Sequence, residues 1–319
     1  MTASTQWKAQ KERSSPRSLA LIVWIALHLG RRCTRLLLWP IVAYFFVSGA
    51  SARNASRAYL ARVLPRPVRQ RDVFQHLHSF AACTLDRVYL LAGRHRELDV
   101  SIHDPGNALA PLHAGSAAIV LTAHLGSFDL LRALGAQQTQ LRFRIVMDRA
   151  HGRMLSATLA RLNPESDEQI INTSNGPQLV LALRDALAEG SVVGLMADRR
   201  VGADPGLAVE FLGAQARLPS GPWSLAAAFV HPALICFGLY RGGRRYELHF
   251  ETFPAPAFTT RAERAVQAQA SAQRFADRLA HYVRLAPYNW FNFYDFWADD
   301  AQARGDAPSA TGTTDARAE

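Results

Sequence analysis

Between residues 116 and 253 short apolar runs alternate with helical patterns, and few folds accommodate such a chain. The runs AAIVLTA (117–123), FRIVM (143–147), QII (169–171), VVGLMA (192–197) and LICFGLY (234–240) are nearly all apolar, as strands covered on both faces are. Between them lie SFDLLRALG (127–135), RMLSATLARL (153–162), PQLVLALRDALAEG (177–190) and PWSLAAAFV (222–230), with apolar residues at helical spacing. YELHFETF (246–253) follows LICFGLY across RGGRR, which predicts an antiparallel hairpin at one end of the sheet. A long helix is expected over about 262–285. The fold class expected is α/β, with a mainly parallel mixed sheet flanked by helices.

The N-terminal region is different. Residues 1–17 are polar, and SLALIVWIALHLG, RRCTR and LLLWPIVAYFFV follow. Each apolar run is about a dozen residues, short of the roughly 20 a spanning helix needs. Pro40 also breaks or kinks the second run. The expectation for 18–48 is a helical membrane hairpin, with Arg31, Arg32 and Arg35 at the headgroup level. A buried hairpin in a soluble protein fits the same pattern. Positive charge beside the hairpin would keep the following domain in the cytoplasm, so the expected location is the cytoplasmic face of the inner membrane. Residues 51–98 read as helical; His76 and His78 are two apart, on different helix faces, and do not make a metal pair. The tail 299–319 is small and polar and is expected to be disordered.

Charge and cysteine content narrow the function. The chain carries a formal net charge of +10, and Lys8 and Lys11 are its only lysines. Such a surface suits an anionic membrane or an acidic carrier protein. Nucleic acid is not expected, for there is no zinc-finger spacing and no RNP-like aromatic strand. Cys33, Cys83 and Cys236 are scattered, so neither a disulfide framework nor a zinc site is indicated.

In LTAHLGSFDLLRALG (121–135) His124 ends an apolar run and Asp129 stands five residues on. The end of a parallel strand is where sites form in open α/β sheets. Gly126 allows a sharp turn, and Ser127 can cap a helix with Asp129 in its first turn. A carboxylate there can orient an imidazole and stabilise its protonated form. A core histidine followed by an ordinary first-turn acid fits the spacing too. Ser127 is not in a GxSxG elbow and HExxH is absent. The catalytic reading is therefore a base that activates a hydroxyl or amine of the substrate itself, with no metal and no cofactor.

This block resembles the HxxxxD motif of the lysophospholipid acyltransferase superfamily. The nearer likeness is to the lipid A lauroyl/myristoyl acyltransferases, in a bacterial glycolipid branch. LNPESD (162–167), VVGLMADRRVG (192–202), VEFLGAQARLPSGPW (209–223) and APYNWFNFYDFWA (286–298) agree in order. The resemblance implies an acyltransferase domain over 49–298. It implies acyl transfer from a thioester on acyl carrier protein to a hydroxyl of a lipid A-like, other glycolipid or aryl polyene-type acceptor. His124 would be the base and Asp129 its orienting partner. Asp198, Arg199 and Arg200, in a strand-end loop, would bind substrate: Asp198 an acceptor hydroxyl or an arginine, the arginines phosphate. Arg149 and Asn163 would line the same cleft. A glycerolipid acyltransferase acting on lysophosphatidic acid and an inactive lipid-binding protein stand as alternatives. YNWFNFYDFW (288–297) is nearly continuous aromatic. It is either a clasp on the sheet, with Asn289, Asn292 and Asp295 needing internal partners, or a membrane-contact patch.

Overall fold

A computed structural model describes residues 16–130, 142–147, 169–172, 177–201, 204–229, 231–254 and 260–298. Three helices come first: α1 (Pro16–Ser48), α2 (Ala50–Val63) and α3 (Gln70–Leu91). Then follow β1 (Asp99–His103), α4 (Ala110–His113), β2 (Ala118–Thr122), β3 (Phe143–Met147), β4 (Ile170–Asn172), α5 (Pro177–Ala188) and β5 (Val192–Met196). The chain continues through β6 (Leu207–Phe211), β7 (Ala214–Leu218), α6 (Gly221–Ala228), β8 (Ala233–Tyr240), β9 (Arg245–Phe253) and α7 (Arg261–Leu285).

Seven strands form one sheet in the order β1-β9-β8-β2-β5-β3-β4. Every pair is parallel except β8 with β9. The expected class is thus what the structure has: a mostly parallel mixed sheet between helices. The expected β8–β9 hairpin is present, but β1 adds a further strand beyond it. β6 and β7 form a separate antiparallel hairpin that the apolar pattern did not reveal.

β2 is central and buried throughout. Ile119 and Leu121 pack with Phe275, Leu279 and Val283 of α7. Ala118 and Val120 face the opposite layer, with Leu85, Val88 and Tyr89 of α3. Such double burial is why its sequence shows no polar alternation. Thr260 caps α7 by accepting from the Glu263 amide, while Glu263 accepts from the Thr260 amide, a reciprocal capping box.

The expected hairpin at 18–48 is corrected. The two apolar runs are consecutive parts of α1, interrupted at Gly30, where φ is 79°. They lie end to end along α3. Arg94 Nη1 donates to the Leu27 carbonyl, Arg31 pairs with Asp86, and Trp39 packs on His78 and Phe74. Successive α1 residues therefore meet successively earlier ones, which two arms folded back on each other could not do. Arg31 and Arg35 are also not at a headgroup level. Arg31 is buried and donates to both oxygens of Asp86, at 2.7 and 2.8 Å. Arg35 lies 3.6 Å from the same carboxylate. The physical reason is Asp86 itself, a buried acid that needs a counter-charge. No single described helix is long and apolar enough to cross a membrane.

Candidate active site

The site begins where β2 ends. After Thr122 the chain leaves the sheet through Ala123, His124, Leu125, Gly126 and Ser127, and neighbours hold each step. Ala197 N–H donates to the Thr122 carbonyl, and Thr122 Oγ1 donates to that of Cys236. Ser127 N–H donates to the Gly238 carbonyl at 2.7 Å. Gly126 has φ 67°, and a Cβ there would fall 1.8 Å from the Gly238 oxygen. A Cβ on Gly238 would in turn lie 2.3 Å from the Ser127 oxygen. The turn and β8 approach so closely that both positions require glycine.

The C-terminal segment closes over this turn. Phe291 N–H donates to the His124 carbonyl, and Gly126 N–H to that of Asn289, both at 2.8 Å. Trp290, wholly buried, pairs as a short bridge with Leu125. Asn289 meets both backbone groups of Tyr240, accepting at 2.6 Å and donating at 3.2 Å. His76, buried in α3, is within 2.8 Å of both Ser56 Oγ and the Trp290 carbonyl. Since the carbonyl only accepts, Nε2 carries the proton and Nδ1 accepts from the serine. The aromatic segment is therefore a clasp. Asn289 and Asn292 have the internal partners expected of them, whereas Asp295 is exposed.

His124 meets a carboxylate here. Its Nδ1 lies 2.8 Å from Asp198 Oδ1, and its backbone N–H donates to Oδ2 at 3.1 Å. Asp198 is fully buried, and Oδ2 also accepts from Trp290 Nε1 at 3.0 Å and Asn292 Nδ2 at 3.1 Å. Burial would raise its pKa, but the charge and hydrogen bonds of His124, with the Arg199 charge, hold its carboxyl well below the usual range. An acid that only accepts puts the imidazole proton on Nδ1 and leaves Nε2 as the basic nitrogen. Burial, assisted by the Arg199 charge and opposed by Asp198, lowers the imidazole pKa from its ordinary value. The ring is then neutral at physiological pH, the form a base requires. Its side chain keeps 30% exposure.

Of the sequence-derived site residues, His124 and Asp198 come together in this way. Asp129 does not take the place expected of it. Its carboxylate lies 3.1 Å from Arg87 Nε of α3, while Asp198 occupies the histidine Nδ1. Both oxygens of Asp198 accept hydrogen bonds inside the protein. Arg199 faces the clasp, donating to Asn292 Oδ1 and the Phe291 carbonyl at 2.5 and 2.6 Å, with its guanidinium over Tyr294. Arg200 donates to the carbonyls of Asp204 and Pro205 at 3.3 and 3.4 Å. Arg149 and Asn163 lie outside the described residues. Sequence reasoning missed the contribution of Trp290, Arg87 and Gly238 to the site. Burial pushes the thiols of Cys83 and Cys236 well above their ordinary range, so neither is a nucleophile at neutral pH. Among the described residues the one cluster of metal-type ligands is remote from His124, on β1 and β9.

Fold and site together define a class: an α/β protein with a histidine–carboxylate pair just beyond the C-terminal end of its central strand. The chain belongs to the family of bacterial lipid A biosynthesis acyltransferases, which it matches over residues 4–298. It is also 28% identical over 206 residues to phosphatidylinositol mannoside acyltransferases from two strains of Mycobacterium tuberculosis. That match takes in 64% of this chain and 62% of each relative, so the chain spans less than two thirds of their length.

Proposed function

We propose that this protein is a membrane-associated O-acyltransferase that moves a fatty acyl group from a thioester on acyl carrier protein to a hydroxyl of a glycolipid. The observation that carries the reading is the 2.8 Å pair of His124 Nδ1 and Asp198 at the end of β2, in a chain of this family. His124 Nε2 takes the proton of the acceptor hydroxyl as that oxygen attacks the thioester carbonyl carbon. The carbon–oxygen bond forms, the carbon–sulfur bond breaks, and the leaving thiolate recovers the proton from the imidazolium. The Asp198 carboxylate stabilises the imidazolium between these steps. No acyl-enzyme is needed.

The donor reading rests on the formal net charge of +10, which favours an acidic carrier. The glycolipid reading rests on the family and on the relatives' acyltransferase names. Membrane association is supported by the outer face of α1. There Trp24, Leu36, Tyr44 and Val47 are 53–77% exposed, an apolar and aromatic surface suited to an interface. The test is acyl transfer by the full chain on vesicles, comparing acyl-carrier and acyl-CoA donors against glycolipid and lysophosphatidic acid acceptors. The expected outcome is label in the glycolipid from the acyl-carrier donor. Transfer to lysophosphatidic acid alone would make the protein a glycerolipid enzyme, and no transfer to any acceptor would leave a lipid-binding protein.

A further inference from the structure

His103, Glu247 and His249 bring three metal-type donors to one face of the sheet, two strands and more from β2. β1 runs parallel to β9 with His103 opposite His249 and Ser101 opposite Glu247. Side chains alternate along a strand, so the three share a face. It is the face covered by α7, since the His249 ring lies 5.1 Å from that of Tyr282. The two imidazoles stack 4.5 Å apart at an interplanar angle of 9°. His249 Nε2 is 3.1 Å from Glu247 Oε2. Donor atoms of all three residues lie within 4.8 Å of one another.

Glu251, next on the same face, shows what a closed structural ion pair looks like here. Arg278 donates to its two oxygens at 2.7 and 2.5 Å, and Tyr282 adds a third bond at 2.6 Å. Glu247 is held differently. Arg241 Nε donates to Oε2 at 2.8 Å, and its Nη1 is tied to the Leu285 carbonyl. That leaves a carboxylate oriented by one arginine beside two stacked imidazoles.

We propose that His103, Glu247 and His249 form a binding site for a divalent transition-metal ion of the zinc class. Two imidazoles and one carboxylate make the mixed nitrogen and oxygen set that zinc accepts; calcium and magnesium favour oxygen alone. Bonds of about 2 Å at tetrahedral angles place donors about 3.3 Å apart. Rotation of His103, which is exposed, closes the difference. Arg241 has the position of an outer partner that orients a ligating carboxylate. Its positive charge moderates the affinity. The ion would fasten the exposed edge strand β1 to β9 and stands apart from the proposed acyl transfer.

The test is titration of the metal-stripped, tag-free full chain with Zn²⁺ by calorimetry, alongside His103→Ala and His249→Ala. His103 is exposed, so its variant keeps the fold whatever the fate of the other. The expected result is one saturable equivalent of Zn²⁺ in the native protein, bound at least tenfold more tightly than in His103→Ala. A zinc-dependent rise in melting temperature should be lost in that variant, and Mg²⁺ should compete poorly. Equal zinc affinity in His103→Ala and the native protein, or no saturable equivalent in the native protein, would overturn the site.

Discussion

Two buried aspartates, Asp86 on α3 and Asp198 in the loop after β5, do different things. Asp86 on α3 meets Arg31 at 2.7 Å, Arg35 at 3.6 Å and the Tyr246 hydroxyl at 2.8 Å. Its charge is cancelled by full opposite charges, and what results is an anchor for α1. Asp198 accepts from His124, Trp290 and Asn292, and the charge of Arg199, which donates to Asn292 Oδ1, also stabilises it. Its charge is retained beside a titratable ring. A carboxylate bound directly by arginine holds structure, whereas one bonded to an imidazole can stabilise the proton that ring takes up during a reaction.

The comparison sharpens first at Asp198. Asp198→Asn should lower acyl transfer on the order of 10³–10⁴-fold, because the amide permits the wrong imidazole tautomer. His124→Ala should cost on the order of 10²–10⁴-fold. A folded variant of either with native turnover would remove the pair from the mechanism. By contrast Asp129→Asn, which loosens a contact to Arg87, should lose about tenfold or less, measured in the same assay.

Asp86 should give the reverse pattern. Asp86→Ala leaves Arg31 buried without its partner and should cost about 3–5 kcal/mol in denaturant unfolding. Replacing Arg31 and Asp86 together by leucine should recover most of that stability. If the single and double variants are equally unstable, α1 is not anchored by the charge pair.

A smaller effect concerns pH. Burial pulls the His76 pKa down to about 4, below the ordinary value of about 6.5. Between these values the unfolded chain takes up a proton that the folded one refuses. Stability is therefore complete above about pH 6.5, falls as pH drops toward 4, and levels off below for this group. A charged ring would also lose the hydrogen bond from Ser56. His76→Asn should flatten part of the pH dependence of the melting temperature between those limits. An unchanged slope would show that His76 does not report on the clasp. His78 and His124 have pKa values shifted in the same direction, so the flattening is partial.

The central strands were legible because double burial leaves nearly uninterrupted apolar runs, and β2 with the following His124 followed from that. β1 was not, since four of its five residues are exposed and only Val100 and Ile102 are apolar, which leaves no continuous apolar run. The β6–β7 hairpin turns at Leu212 and Gly213, both with positive φ, and lacks the Asn-Gly signature that marks such turns. Asp198 was recognised as a site residue, but its pairing with His124 was not, because the two stand 74 residues apart and local spacing favoured Asp129. Arg31 was placed at a lipid surface for the same reason: Asp86 is 55 residues away. Apolar patterning reports burial, and it does not report which distant charges meet.

The most direct test of the His124–Asp198 pair is the titration of His124 itself, followed by nitrogen-15 NMR of the imidazole in the native protein, Asp198→Asn and Asp129→Asn. The neutral ring of the native protein should carry its proton on Nδ1. Because Asp198 supports the charged ring, its loss should lower the His124 pKa further, while Asp129→Asn leaves it near the native value. A His124 pKa that moves with Asp129 and not with Asp198 would contradict the account.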